Sequence, residues 1–196
     1  MPPAAVKSVR DVIFWQYAAI MTGAATGHKN EWALRMSFLN KLKTGEISWT
    51  SNVREWLLER ENPNVCIYCG APEHLTTEHM LPRSRGGEDV FDNVVRVCKS
   101  CNSSKGAKGL YEWKGLEAKN DHHRIAEGKY LKYLYSLHER LGTLDKKLTD
   151  ICPCCLKSKC VEEEHPEKLT VYCIEGYFAP QGKTGVPTSE NLMKSE

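Results

Sequence analysis

The chain has 196 residues, 41% of them hydrophobic, so it is long enough to bury the core of one or two small domains. Its formal net charge is only +2, which excludes a polycation whose overall charge would by itself indicate nucleic-acid binding. The longest apolar stretch, residues 12–21, is too short to span a bilayer, which argues against a membrane protein.

The nine cysteines and the first residues indicate a reducing compartment. Residues 1–5 lack the charged start and the apolar core of an export signal. Cysteines in a reducing compartment are more often metal ligands than disulfide partners. We therefore expect a cytoplasmic protein without a membrane segment, whose thiols bind metal.

Residues 1–60 predict a helical N-terminal region. Hydrophobic residues recur at helical spacing over residues 9–21, and the stretch 23–27 is expected to break this helix. A second helix is expected from about Glu31, with Gly45 after its end, and a third from Ser51. The inward face of the second helix is expected to hold Trp32, Met36, Leu39 and Leu42.

Residues 61–118 contain two C-x-x-C pairs, Cys66 with Cys69 and Cys98 with Cys101. Four thiolates complete a tetrahedral zinc site that leaves no position open for a substrate. We therefore predict a structural zinc ion here. The chemistry is then expected in the segment between the pairs, residues 70–97.

That segment and its borders resemble the HNH endonuclease family. The resemblance is carried by Glu78 and His79, then Asn93, then Asn102 directly after the second cysteine pair, in a frame that ends C-x-x-C-N-x-x-K-G. It covers about residues 65–108. It implies a ββα-metal core, a two-stranded hairpin followed by a helix, around one catalytic divalent ion. The predicted fold class is α+β, mostly helical, with this core between helical N- and C-terminal regions.

The residue types suit the roles that the resemblance implies. Phosphodiester hydrolysis needs a base for the attacking water, and His79 can supply a neutral imidazole near neutral pH. Glu78 and Asn102 are the expected ligands of the catalytic cation, and Asn93 is expected to hold the histidine in position. Because neighbours in a strand point to opposite faces, Glu78 and His79 can serve one site only where the strand bends or ends.

Two residues depart from the commonest form of the motif. The acid is Glu78 rather than Asp, and the last position is Asn102 rather than His. Oxygen ligands at both positions favour Mg²⁺ or Mn²⁺ over softer ions. We expect Mg²⁺ ahead of Mn²⁺.

Basic residues exceed acidic ones between positions 83 and 108. Such a local excess beside the site would suit contacts with DNA phosphates, which position a duplex without reading its sequence. The alternative for each of these cations is a solvated surface charge. The predicted phosphate contacts are Arg83, Arg85, Lys105 and Lys108.

Residues 119–180 predict a further helix, which ends near Gly142, and a second cluster of soft ligands. The cluster predicts a second zinc site. Its expected ligands are Cys152, Cys155, Cys160 and Cys173, with His165 in reserve. Residues 181–196 are rich in Gly, Pro, Ser and Thr and are expected to be flexible.

Together these features predict a metal-dependent endonuclease that acts on double-stranded DNA and leaves 5′-phosphate and 3′-hydroxyl ends. One such centre cuts one strand, so cutting both would need a homodimer or two successive nicks. The alternative is a zinc-stapled module that binds nucleic acid and cuts nothing. The flanking regions favour a restriction, phage or mobile-element enzyme.

Overall fold

A computed structural model describes residues 2–48, 55–115, 121–147 and 170–178 of the chain. The N-terminal region consists of α1 (Val9–Thr26), α2 (Trp32–Thr44) and α3 (Glu55–Glu61). The central part contains β1 (Leu75–His79), a 3₁₀ turn (Arg83–Arg85), β2 (Val94–Cys98), α4 (Lys99–Lys105) and α5 (Leu110–Lys114). The long helix α6 (Asp121–Arg140) and the short helix α7 (Val171–Gly176) follow.

Helix α1 is the central helix of the fold. The side chain of Ser8 caps its first turn by accepting a hydrogen bond from the backbone N–H of Asp11, at 3.3 Å. The helix is buried from residue 9 to residue 23 except at Arg10, because it packs against α2, α6 and α7. No helix in the described ranges is long and apolar enough to cross a membrane.

Two details of the predicted N-terminal helices are wrong. Helix α1 runs through Gly23 and ends only at Gly27, which adopts a left-handed conformation with φ 77°. Trp32, the first residue of α2, is 63% exposed rather than inward. Leu39 and Leu42 are buried as predicted, and Gly45 ends the helix. The predicted start of the third helix lies outside the described residues.

The predicted mixed fold with a hairpin and helix at its centre is confirmed. Strands β1 and β2 pair antiparallel, with Glu78 opposite Val95 and His79 opposite Val94. Helix α4 begins directly after β2 and packs against both strands. The three elements therefore form a compact ββα unit.

Helix α6 joins this unit to the N-terminal helices. Its Glu127 accepts a hydrogen bond from Gln16 of α1 at 2.6 Å. Its Lys129 donates to Glu59 of α3 at 2.6 Å and to the carbonyl of Val94 in β2 at 3.0 Å. These buried contacts hold the hairpin against the helical part of the molecule.

Candidate active site

The four cysteines of the two C-x-x-C pairs meet at one end of the hairpin. Their sulfur atoms all lie within 4.8 Å of one another, and the sulfurs of Cys69 and Cys98 are 3.8 Å apart. Zinc with Zn–S bonds of about 2.3 Å places neighbouring sulfurs about 3.8 Å apart in a tetrahedron. The cluster could therefore hold zinc. The other predicted cluster includes only one described ligand, the buried Cys173, and the remainder lies outside the described residues.

Glu78 lies on β1 and its carboxylate is buried between two donors. The Tyr68 hydroxyl donates to Oε2 at 2.8 Å, and the Lys105 ammonium pairs with Oε1. The Glu78 side chain is 7% exposed. A carboxylate buried this far is stable only when its charge is matched, and Lys105 supplies that match.

Lys105, at the last position of α4, lies between two acceptors. Besides Glu78, its ammonium donates to the main-chain carbonyl of His79 at 3.0 Å. Burial lowers the pKa of Lys105, and the negative charge of Glu78 opposes that shift. Its side chain is 0% exposed, so its cation is used inside the protein instead of being offered to a phosphate on the surface.

His79 is the last residue of β1, so the strand ends where the sequence requires it to end. Its side chain is half-buried and lies on the hairpin face opposite to Glu78. Its Nε2 is 3.4 Å from a carboxylate oxygen of Asp89, in the loop between the strands. The end of the strand thus places the imidazole beside Asp89, on the face opposite to the Glu78 carboxylate.

Asn93 is fully buried and binds main chain rather than the imidazole. Its Oδ1 accepts from the N–H of Leu81 at 2.8 Å, and its Nδ2 donates to the carbonyls of Leu81 and Glu88, at 3.0 and 2.9 Å. The carbonyl of Asn93 also accepts from the N–H of Met80 at 2.9 Å. In the structure, Asn93 therefore ties down the chain that follows His79, and any effect on the histidine passes through the backbone.

Asn102 lies on α4, one helical turn before Lys105. Residues three apart on a helix are neighbours on its surface, so Asn102 lies next to Lys105 on α4. The residue is half-buried, and no hydrogen bond to its carboxamide is found among the described residues. Asn102 therefore lies, half-buried, on the helix that packs against β1.

The four predicted phosphate contacts divide into two classes. Arg83 and Lys108 are exposed. Arg85 is internal, because its guanidinium pairs with Glu112 at 2.6 Å and both side chains are less than 10% exposed. Lys105 is internal as well. The surface excess of positive charge around the site is therefore smaller than the sequence suggests.

Helix α5 carries residues of the site that the sequence analysis missed. Glu175 of α7 accepts the backbone N–H groups of Tyr111 and Glu112 at the first turn of α5, at 2.9 and 2.8 Å. Burial raises the pKa of Glu175, and these donors oppose the rise. The aromatic ring of Trp113, on the same helix, packs edge-on against Tyr68 at 5.0 Å. The carboxylate of Glu175 thus positions helix α5, whose Trp113 packs against the tyrosine bonded to Glu78. No local pattern in the sequence signals this contact.

Residues 66–111 match the family model described as HNH endonuclease. The matched segment contains the thiol cluster, the hairpin, α4 and the start of α5. The resemblance seen in the sequence is therefore confirmed for this segment.

Two curated proteins are similar to part of the chain. One is the type IV methyl-directed restriction enzyme EcoKMcrA of Escherichia coli (strain K12), 36% identical over 73 residues, which are 31% of this chain and 26% of that enzyme. The other is the CRISPR-associated endonuclease Cas9 of Corynebacterium diphtheriae, 35% identical over 60 residues, 29% of this chain and 5% of that protein. The chain thus spans about a quarter or less of these relatives. No solved structure gives a significant match.

Proposed function

Starting from the HNH endonuclease match of residues 66–111, we propose that this protein is a metal-dependent endonuclease that hydrolyses phosphodiester bonds of DNA. The observation that supports the proposal is that the matched ββα unit carries Glu78, His79 and Asn102. One strand end supplies the carboxylate and the imidazole, and the helix packed on that strand supplies the amide oxygen.

The catalytic cation would be bound by Glu78 and Asn102. Both offer oxygen, which suits a hard ion such as Mg²⁺ or Mn²⁺. When bound, such an ion neutralises charge on the phosphoryl oxygen and on the leaving oxygen. In the structure Lys105 supplies the positive charge that the buried Glu78 carboxylate requires.

His79 would act as the general base. The His79 side chain is 20% exposed, and a neutral imidazole accepts a proton near neutral pH. Attack of that water on the phosphorus would release the 3′ oxygen and leave a 5′-phosphate. Asn93 would keep the chain after His79 in place through its hydrogen bonds to Leu81.

The thiol cluster would hold one structural zinc ion. Four sulfurs fill a tetrahedral coordination shell, so the ion would not meet substrate. It would fix the start of the hairpin region, at Cys66 and Cys69, to the start of α4, at Cys98 and Cys101. A second zinc on Cys152, Cys155, Cys160 and Cys173 stays a proposal.

The substrate would be double-stranded DNA, approached from the side of Arg83 and Lys108. One centre cuts one strand, so a double-strand break would need two copies of the chain or two nicks. Similarity to a restriction enzyme and to a CRISPR endonuclease supports a role in restriction or in a phage or mobile element. Sequencing the ends of a digested phage genome would distinguish a fixed site from scattered nicks.

A plasmid-nicking assay with Mg²⁺ or Mn²⁺ tests the proposal. His79→Ala is expected to lower the nicking rate by about a hundredfold or more, the usual contribution of a positioned base. The matched control is His28→Ala, at an exposed histidine that precedes the matched segment. It should nick DNA at the wild-type rate. Equal rates for wild type and His79→Ala would remove the catalytic assignment. DNA binding without any metal-dependent nicking would favour the zinc-stapled binding module instead.

A further inference from the structure

Tyr68 joins the thiol cluster to the carboxylate of the site. It is the residue directly before Cys69, inside the first C-x-x-C pair, and it is 2% exposed. Its hydroxyl donates to Oε2 of Glu78 at 2.8 Å. A side chain that starts between two sulfur ligands therefore ends on an oxygen of the expected ligand of the catalytic cation.

The backbone around Tyr68 leaves it little freedom. The N–H of Cys66 donates to the carbonyl of Ala71 at 2.8 Å, and the N–H of Gly70 donates to the carbonyl of Cys66 at 2.7 Å. The N–H of Ile67 donates to the carbonyl of Arg96 in β2 at 3.0 Å. These bonds shape the turn that carries Cys66 and Cys69, and a metal ion bound by the sulfurs would fix its conformation. The position of the Tyr68 hydroxyl is then set by the sulfur-bound end of the hairpin.

The Tyr68 ring is also held from the side. Trp113 packs edge-on against it, with the two ring centroids 5.0 Å apart. The Tyr68 side chain is almost completely buried. A phenol is protonated near neutral pH, so its hydroxyl can donate to Glu78.

The two partners of Glu78 occupy different oxygens. Lys105 pairs with Oε1 and Tyr68 with Oε2, and each oxygen retains a further lone pair. A carboxylate held at both oxygens presents those lone pairs in a fixed direction. Mutation of such a partner of a metal ligand typically lowers metal affinity or activity by about 10–100-fold.

We propose that Tyr68 is a positioning residue, which orients the Glu78 carboxylate for the catalytic cation and thereby makes cation binding depend on the integrity of the thiol cluster. The inference rests on the proposed function, because it takes Glu78 as a ligand of that cation. It adds a residue and a direct link between the two metal centres.

Tyr68→Phe in the full, zinc-loaded chain tests the proposal, because it deletes the hydroxyl and keeps the ring. Mn²⁺ affinity, measured by calorimetry or from the free-Mn²⁺ electron paramagnetic resonance signal, is expected to fall about tenfold or more. Zinc content should stay unchanged. In the nicking assay, two quantities are compared with the wild type. The metal concentration that gives the half-maximal rate should rise by a larger factor than that by which the rate at saturating metal falls.

Tyr130→Phe is the matched control. The Tyr130 hydroxyl is also buried and also donates to a carboxylate, that of Glu175, at 3.0 Å. Glu175 keeps its two backbone donors in this variant. The Mn²⁺ affinity of Tyr130→Phe is expected to match the wild type, so a general effect of losing a buried hydroxyl is separated from the specific one.

Mn²⁺ affinity of Tyr68→Phe within twofold of the wild type would overturn the inference, and so would an unchanged affinity in Glu78→Gln. If Tyr68→Phe loses zinc or folded structure, the Mn²⁺ affinity of Trp113→Leu tests the inference instead. This variant keeps both site side chains and is expected to weaken Mn²⁺ binding by a smaller factor, whereas no change would overturn the inference. A wild type that binds Mn²⁺ through Glu78 and Tyr68 but nicks no DNA would remove the nuclease and leave the inference standing.

Discussion

The ammonium of Lys105 and the carboxylate of Glu78 form an ion pair that is almost fully buried between α4 and β1. The two residues are 27 positions apart in the sequence, so the pair joins the helix to the strand of the ββα unit. A buried ion pair contributes little net stability when it is intact, but removing one partner leaves the other charge uncompensated.

Lys105→Met is therefore expected to lower the free energy of unfolding by about 3–5 kcal/mol. Urea denaturation of the zinc-loaded protein measures this. Lys108→Met, at an exposed lysine three residues further, is the control and should change stability by less than about 0.5 kcal/mol. Combining Lys105→Met with Glu78→Gln should recover part of the loss, since both charges are then absent. If Lys105→Met were as stable as the wild type, the buried ion pair would be contradicted.

Removing one thiol should remove the zinc of its cluster. Cys66→Ser is expected to lower bound zinc by about one equivalent and to unfold the hairpin region, since a structural zinc contributes directly to folding. Metal analysis after dialysis and circular dichroism measure the two effects. Cys155→Ser reports on the second predicted cluster. Loss of zinc from Cys66→Ser alone would refute the second site, and loss from neither variant would refute both.

Arg83 and Arg85 are expected to act differently although they are two residues apart. Arg83→Ala should weaken duplex binding and reduce the slope of log affinity against log salt by about one, as expected for one lost phosphate contact. Arg85→Ala should instead destabilise the fold, because it leaves the buried Glu112 unpaired. Fluorescence anisotropy at several salt concentrations, together with urea denaturation, separates the two. A normal fold and a reduced salt slope in Arg85→Ala would contradict the structure.

The two glycines of the turn after the Arg83–Arg85 segment have different requirements. Gly86 has φ 83° and open space where a Cβ atom would lie, so Gly86→Ala should cost only the left-handed strain of about 1–2 kcal/mol. At Gly87 a Cβ atom would come within 1.8 Å of the Leu81 carbonyl oxygen. Gly87→Ala should therefore be clearly more destabilising and should displace the chain that Asn93 holds. Equal unfolding free energies for the two variants would contradict this.

Stability should fall as pH falls through the titration of His138. Burial lowers the pKa of His138 from its ordinary value of 6.5 to about 4, against the opposing effect of its bond to the Ile174 carbonyl. Between these two values the unfolded chain binds a proton that the folded chain does not. The free energy of unfolding therefore decreases from pH 6.5 towards pH 4, by up to about 3 kcal/mol for this residue.

His138→Gln removes this titration and should flatten the curve. The measurement is urea denaturation of both proteins over that pH range, with the zinc content checked at each pH. Contributions from the thiol cluster are shared by the two proteins, so their difference isolates His138. Curves that run parallel over the whole range would contradict the assignment.

Local patterns in the sequence were sufficient for the parts of the site that depend on spacing. Two C-x-x-C pairs predicted a cluster, and the four sulfurs meet within 4.8 Å. The acid and histidine were expected where a strand ends, and β1 ends at His79. Gly45 ended the second helix as predicted. Within each pair, at the strand end and at the helix end, the geometry is set by a few neighbouring residues. The meeting of the two pairs also needs the hairpin, since Cys69 and Cys98 are 29 positions apart.

Tertiary structure decided which charges and amides serve the interior. From the sequence, Lys105 and Arg85 could not be told from Arg83 and Lys108, yet the first two are buried against Glu78 and Glu112. Asn93 was expected to hold the histidine in position, and the fold shows that its carboxamide binds the main chain of Leu81. Burying a polar group is tolerable only when its partner arrives with it. Those partners come from segments distant along the chain, so the amino-acid sequence determined the chemical groups of this site, and only the folded chain determined which of them pair with each other.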